Sequence, residues 1–286
     1  MPSSSTPDAA AAGTITIGGD LTVNRLGFGA MRLTGRGIWG DPPDVDEAKA
    51  VLRRAVELGT DFIDTADSYG PEVSENLIAE ALHPYPDGLV IATKGGLERP
   101  GPGRWPADGR PEHLKAACDG SLRRLRLDQI PVYQLHRPDR AVPFEDSVGA
   151  LVDLQKDGKI RHVALSNVSV RQLRAAQRLT PVVSVQNRYN LGDRGADAVL
   201  NVCEEDGLAF LPWAPIQDLD ARPVVREIAD RHRATVQQVV LAWLLARSPQ
   251  TLPIPGTGSV AHLGENIAAA SLRLGADEVR SLTNGA

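Results

Sequence analysis

Eight short apolar runs, alternating with segments of helical period, predict that this 286-residue chain is α/β, a single (β/α)8 TIM barrel with an N-terminal β-hairpin. The runs lie at Asn24–Ala30, Asp61–Ala66, Leu89–Lys94, Ile130–His136, Ile160–Ser166, Val182–Asn187, Leu208–Trp213 and Leu252–Pro255. All but the first are entered by a helical stretch and the last is followed by one, within about 250 residues, the usual extent of such a barrel. A doubly wound sheet is the rival. Gly27-Phe28-Gly29 could begin its dinucleotide fingerprint, but Arg32 stands where a third glycine is needed and a loop follows where a helix should start.

Taken in order, "TITIGGDLTV" reads as the hairpin, with its turn at Gly18-Gly19. The residues before it, "MPSSSTPDAAAA", are small and polar with no basic region, so 1–12 read as a disordered tail and 13–286 as the barrel. The helical stretches are "DEAKAVLRRAVELG", "SENLIAEAL", "EHLKAACDGSLRRLR", "FEDSVGALVDLQKDGK", "VRQLRAAQRL", "GADAVLNVCEEDG", "VQQVVLAWLLARS" and "VAHLGENIAAASL". Several carry apolar residues at i, i+3, i+4 and i+7, and three run into a stop glycine.

Composition excludes several classes. A net charge of −5 leaves no basic excess to hold nucleic acid or an acidic membrane. The longest apolar runs, such as "VVLAWLLA", are far shorter than a membrane span. Cys118 and Cys203 lie far apart in helical segments and read as reduced, buried thiols, so a cytoplasmic protein is expected.

A barrel of this kind keeps its active site at the C-terminal ends of its strands. Strand 2 ends "DFIDTADSYG" with Asp64 and, just beyond, Tyr69. Strand 3 ends on Lys94, one of only five lysines in the chain, and strand 4 on His136. Ser166-Asn167, Gln186-Asn187 and Trp213 close the next three. Each alone is an ordinary cap or turn residue; six consecutive strands ending this way at one rim are not. A lysine ammonium there needs a counter-ion, and Asp64 can supply it. The ammonium also favours a neighbouring phenolate, which should lower the pKa of Tyr69 from about 10. Tyr69 could then protonate a carbonyl oxygen that His136 also hydrogen-bonds. Hydride transfer from a nicotinamide would create such an alkoxide, and Asn, Gln and Ser suit its carboxamide.

The motifs "DFIDTADSYG", "IATKGG", "YQLHRPD", "ALSNVS", "VQNRYN" and "IPGTGSVAHLGENIAAA" resemble those of the aldo-keto reductases, in order and over nearly the whole chain. The bacterial branch that includes pyridoxal reductases is the most similar. The resemblance implies NADPH-dependent reduction of an aldehyde or ketone, with NADH as a second cofactor. It also implies a catalytic tetrad of Asp64, Tyr69, Lys94 and His136. Tyr69 would be the general acid, tuned by Lys94 and Asp64, with His136 orienting the substrate. Ser166, Asn167 and Gln186 should hold the carboxamide, Trp213 should stack on the ring, and Gly29, Ala30 and Met31 should line its pocket. Gly256, Thr257, Gly258 and Ser259, opening the last helix, should meet the adenosine phosphate, joined by His262, Glu265 and Asn266.

Two departures from the family stand out. Many relatives carry Lys at the position of Gly256 and Arg at that of His262, so the 2′-phosphate should meet fewer fixed charges. The loop after strand 7, with Ala214, Pro215, Ile216, Gln217 and Asp218, lacks the usual glycines, which predicts faster cofactor release. Trp39, Trp105 and Arg137 are the expected substrate walls, with the segment 95–111 either a lid or a solvated connection. No metal is expected; a small carbonyl substrate is the expected partner, and a monomer the expected state. Two alternatives stay open: a Schiff-base aldolase-type barrel using Lys94, and a cofactor-binding regulatory subunit with little turnover.

Overall fold

The computed structural model describes residues 6–217 and 223–284. An antiparallel hairpin, β1 (Thr14–Ile17) and β2 (Leu21–Asn24), precedes a parallel sheet of β3 (Phe28–Gly29), β4 (Phe62–Asp64), β5 (Val90–Gly95), β6 (Ile130–Leu135), β7 (Ile160–Ser166), β8 (Val182–Arg188) and β9 (Ala209–Trp213). These seven strands pair in sequence order. The eighth expected strand closes the ring without forming a ladder. Leu252 N–H donates to Phe210 O, while Pro253 O and Pro255 O accept from Gly27 and Gly29 N–H. Proline has no N–H to return, so the seam toward β3 carries bonds in one direction only. The Arg25 guanidinium reinforces it from below, donating to the carbonyls of Leu245, Ser248 and Thr251.

The helices are α1 (Val45–Glu57), α2 (Val73–Leu82), α3 (Pro111–Leu125), α4 (Phe144–Lys156), α5 (Val170–Gln177), α6 (Asp197–Asp206), α7 (Pro223–His232), α8 (Val236–Arg247), α9 (Val260–Ala268) and α10 (Ala276–Asn284). Their ends follow local chemistry. Asp44 caps α1, Ser169 with Gln172 and Thr235 with Gln238 form capping boxes, and the stop glycines Gly59, Gly158 and Gly207 all take positive φ. Among the described residues, no helix is long and apolar enough to cross a membrane.

Three expectations need correction. Residues 8–12 are ordered: Asp8 accepts the Ala10 N–H, Ala9–Ala12 form a 3-10 turn, and Ala9 is buried with its N–H on Leu58 O. Alanines are small enough to lie directly against the end of α1. Residues 1–5 lie outside the described residues. The first barrel strand is two residues long, because Asn24 belongs to the hairpin and its side chain is drawn to Gly59 O. Helices α7 and α10 were not expected; they pack on each other and on α8, where Trp243 donates to the Thr283 hydroxyl.

Strand alternation sets the vertical order inside the barrel. Phe62, Val90, Ala92, Val132, Ala164, Ala209 and Leu211 pack on Ile15, Ile17 and Val23 of the hairpin, which thus plugs one end. Two residues further along β4, β5 and β6, the same inward face carries Asp64, Lys94 and Gln134. An apolar floor therefore gives way to a polar rim within one period.

Candidate active site

Lys94 is the centre of that rim and has no exposed surface. Its ammonium donates to Asp64 Oδ2 at 2.6 Å, to Thr65 O at 2.9 Å and to the Tyr69 hydroxyl at 3.4 Å. Asp64 Oδ1 is held from the other side by the side-chain amides of Gln134 (2.9 Å) and Gln186 (2.8 Å). Every polar atom of this buried pair thus has a partner, the condition under which an ion pair survives out of water. Burial alone would loosen the proton on Lys94, but Asp64 and Tyr69 outweigh it, and the lysine holds its proton more tightly than in water.

Tyr69 departs from expectation. Burial raises the pKa of its phenol above the usual 10, and the opposing pull of Lys94, itself partly offset by Asp64, does not reverse it. The residue is a protonated donor. His136 stands beside it, ring centroids 5.8 Å apart and edge-on, its pKa driven well below the usual 6.5 by burial and by the charges of Lys94 and Arg137. Its Nδ1 lies 3.3 Å from the Ser68 hydroxyl. When Ser68 donates there, Nε2 carries the proton and can donate in turn.

Asp64, Tyr69 and His136 floor a cleft of about 580 Å³, with Lys94 buried beneath them. Its wall includes Gly29, Met31, Ser166, Asn167, Gln186, Trp213, Ala214, Pro215, Ile216, Gln217 and Gly256 from the expected cofactor side, with Trp105 and Arg137 from the expected substrate side. Ser166 donates to Gln186 O, and Asn167 Nδ2 to His136 O, while Asn167 Oδ1 accepts from Trp213 Nε1. Gln186 spends its N–H groups on Asp64 and Gln134, leaving its carbonyl oxygen free to accept.

Other expected residues stand elsewhere. Trp39 is not in the cleft wall; its neighbour Ile38 is, turned there by a φ of +58°. Ala30 is fully buried. Thr257, Gly258, Ser259, His262, Glu265 and Asn266 lie further along, on the loop and first turns of α9, outside the cleft wall. The N-terminus of α9 is already met by a carboxylate: Val260 N–H donates to Glu47 Oε1 at 3.1 Å. The glycine at 256 has a structural cause, since a Cβ there would lie 2.3 Å from Gly29 O. Asp218 falls outside the described residues. Sequence reasoning missed Gln134, Ser68, Arg32 and Leu97; the signal for Gln134 was a polar residue at an inward position of an apolar strand.

The cleft can bring a planar molecule over a protonated phenol and a neutral imidazole, with a fixed positive charge beneath. Known oxidoreductases are similar to this chain over most of its length. An uncharacterised oxidoreductase of Schizosaccharomyces pombe is 49% identical over 277 residues, covering 96% of this chain and 90% of its own. Pyridoxine 4-dehydrogenase of Escherichia coli is 42% identical over 275 residues, covering 93% and 96%. Among solved structures, an aldo-keto reductase from Klebsiella pneumoniae in complex with NADPH superposes with a TM-score of 0.79 at 26% identity, covering 95% and 94%. The sequence model of the Aldo/keto reductase family matches residues 25–284, and the chain belongs to that family.

Proposed function

We propose that this oxidoreductase reduces an aldehyde or ketone to the alcohol with NADPH, Tyr69 acting as the general acid. The observation that carries the reading is the chain Asp64–Lys94–Tyr69, buried beneath the cleft with His136 neutral beside it. The cofactor supplies hydride when bound; Tyr69 delivers a proton to the carbonyl oxygen, and His136 Nε2 holds that oxygen in place. Removing the proton leaves a phenolate whose charge Lys94 is placed to balance. Its ammonium is kept charged by Asp64, which speaks against a Schiff-base role, since that chemistry needs a free amine.

The cleft's residues suit a nicotinamide: the side-chain carbonyl of Gln186 could accept from its carboxamide, the Trp213 ring offers a flat face and Met31 an apolar one. Arg32, exposed and lining the same cleft, adds a cation toward the phosphates. For the substrate we favour pyridoxal or another planar carbonyl. Support comes from the aromatic wall at Trp105, lying edge-on to Tyr69 at 6.4 Å, and from the pyridoxine 4-dehydrogenase relative. The test is NADPH oxidation over a carbonyl panel that includes pyridoxal. Tyr69→Phe should bind NADPH normally and lose turnover; wild-type turnover in that variant would end the proposal.

A further inference from the structure

The segment 95–111 is folded as an arm: Glu98 N–H donates to Pro106 O at 2.9 Å and Asp108 N–H to Gly96 O at 3.0 Å, with Leu97 and Ala107 bridged antiparallel. It presents Leu97 and Trp105 to the cleft. Arg99 lies just beyond the last paired residues of the arm, half-buried, and touches three loops at once. Its guanidinium sits 3.4 Å from the centroid of the Trp105 ring and 5.3 Å from that of Trp39. Its Nη1 donates to Ser68 O at 2.8 Å, and the hydroxyl of that same Ser68 lies 3.3 Å from His136 Nδ1. The far face of the clasp is tied down as well, because Trp39 bridges Gly70 and Gly40 N–H donates to Gly70 O at 2.5 Å, one residue beyond Tyr69.

Two features make this more than packing. Arg99 Nε and Nη2 are shut off from solvent and have no hydrogen-bond partner. A guanidinium left with unpaired N–H groups gains from the two π faces and from Ser68, and opening the arm would return those groups to water. The unpaired donors are a cost to the closed arm, so the two ring contacts and the bond to Ser68 are what hold it in place, and the rings favour Arg over Lys. Moreover, the clasp ends on both proton-handling residues: Trp105 lies against Tyr69, and Ser68 against His136.

We propose that Arg99 is a positioning residue for the carbonyl reduction set out above: clasping Trp39 and Trp105, it holds the arm against the cleft and so determines how tightly planar carbonyls are held over Tyr69. The inference rests on that reading of the site. Its test compares benzaldehyde with propanal in Arg99→Gln, Arg99→Lys, Trp39→Leu and the Arg99→Gln/Trp39→Leu double variant. NADPH affinity is measured by fluorescence titration alongside. Arg99→Gln should raise the KM for benzaldehyde about tenfold and for propanal less than threefold, with NADPH affinity unmoved; Arg99→Lys should recover part of the loss.

Trp39 has no surface in the cleft; its backbone contact with Gly70 survives a change of side chain, and what Leu removes is the ring that meets Arg99. Trp39→Leu should therefore raise the benzaldehyde KM, and the double variant should raise it no further than Arg99→Gln. Effects that add in full, or a KM equal to wild type in Trp39→Leu, overturn the clasp. So does a loss of kcat that follows thermal stability while KM stays put. If Arg99→Gln does not fold, Trp39→Leu decides alone by the same KM. If the wild-type protein reduces neither probe, pyridoxal takes the place of benzaldehyde in the same comparison of KM values; a protein that reduces none of the three overturns the proposed function and the role of Arg99 with it. One that reduces both compared probes while the variants treat them alike overturns the clasp only.

Discussion

The Lys94 ammonium and the Asp64 carboxylate meet at 2.6 Å with their side chains 0% and 3% exposed. A pair so placed is costly to break from one side only, because the survivor becomes an unpaired buried charge. Asp64→Asn and Lys94→Met should each destabilise the protein by about 3–5 kcal/mol and lower turnover by a factor of about 10²–10⁴. The double variant leaves no lone charge, so urea unfolding should show much of the stability restored while turnover stays low. Stability losses that simply add would show that the two residues do not act as a pair.

The pH behaviour follows from Tyr69 and His136. The raised pKa of Tyr69 keeps its acid form intact through neutral and mildly alkaline pH, so reduction should be flat there and fall only as the phenol ionises beyond its ordinary value of 10. Alcohol oxidation, which needs the phenolate, should rise over the same range. The depressed pKa of His136 acts on stability at the other end. Below the ordinary 6.5 the unfolded chain takes up a proton that the folded chain refuses, so stability falls as pH drops from there toward the folded value. His136→Gln should flatten that part of a stability profile measured by denaturant titration.

Asp64, Lys94 and His136 are legible in the sequence because each sits at the end of an apolar run, where a polar residue has no packing role, and Tyr69 because it follows on the loop beyond Asp64. What the run cannot report is its surroundings. Burial of Tyr69 outweighs Lys94, which reverses the expected direction of its pKa. Trp39 was placed in the wall because aromatic residues on rim loops often are, whereas the positive φ of Ile38 exchanges the two. Pro253 and Pro255 lie within and at the end of the last apolar run and lack the donors that would make it a strand. Pro223–His232 has the apolar spacing of a helix, but it lay between two strands already supplied with one.

Cofactor preference should respond to Glu47. Its carboxylate occupies the first turn of α9, the end expected to meet the adenosine phosphate, and a second anion there is repelled. Glu47→Gln should tighten NADPH by about 0.3–1 kcal/mol and leave NADH unchanged, as read by fluorescence titration. His262→Arg, on the exposed face of the same turn, should act in the same direction. Grafting the family's lysine at Gly256 should not, because its Cβ would lie 2.3 Å from Gly29 O.

Asn167 joins the substrate and cofactor sides of the cleft, and two substitutions separate its roles. It holds a φ of +59°, its Nδ2 donates to His136 O at 3.0 Å, and its Oδ1 accepts from Trp213 Nε1 at 3.1 Å. Alanine would lose these hydrogen bonds, together with the one from Nδ2 to the Ser166 hydroxyl, and also meet the steric cost of the left-handed region, about 1–2 kcal/mol. Glycine would lose the same bonds without that cost. Asn167→Ala should therefore be less stable than Asn167→Gly, while both lose NADPH affinity alike as Trp213 swings free. If the two variants differ in affinity as much as in stability, backbone strain and not the bond to Trp213 governs the cleft.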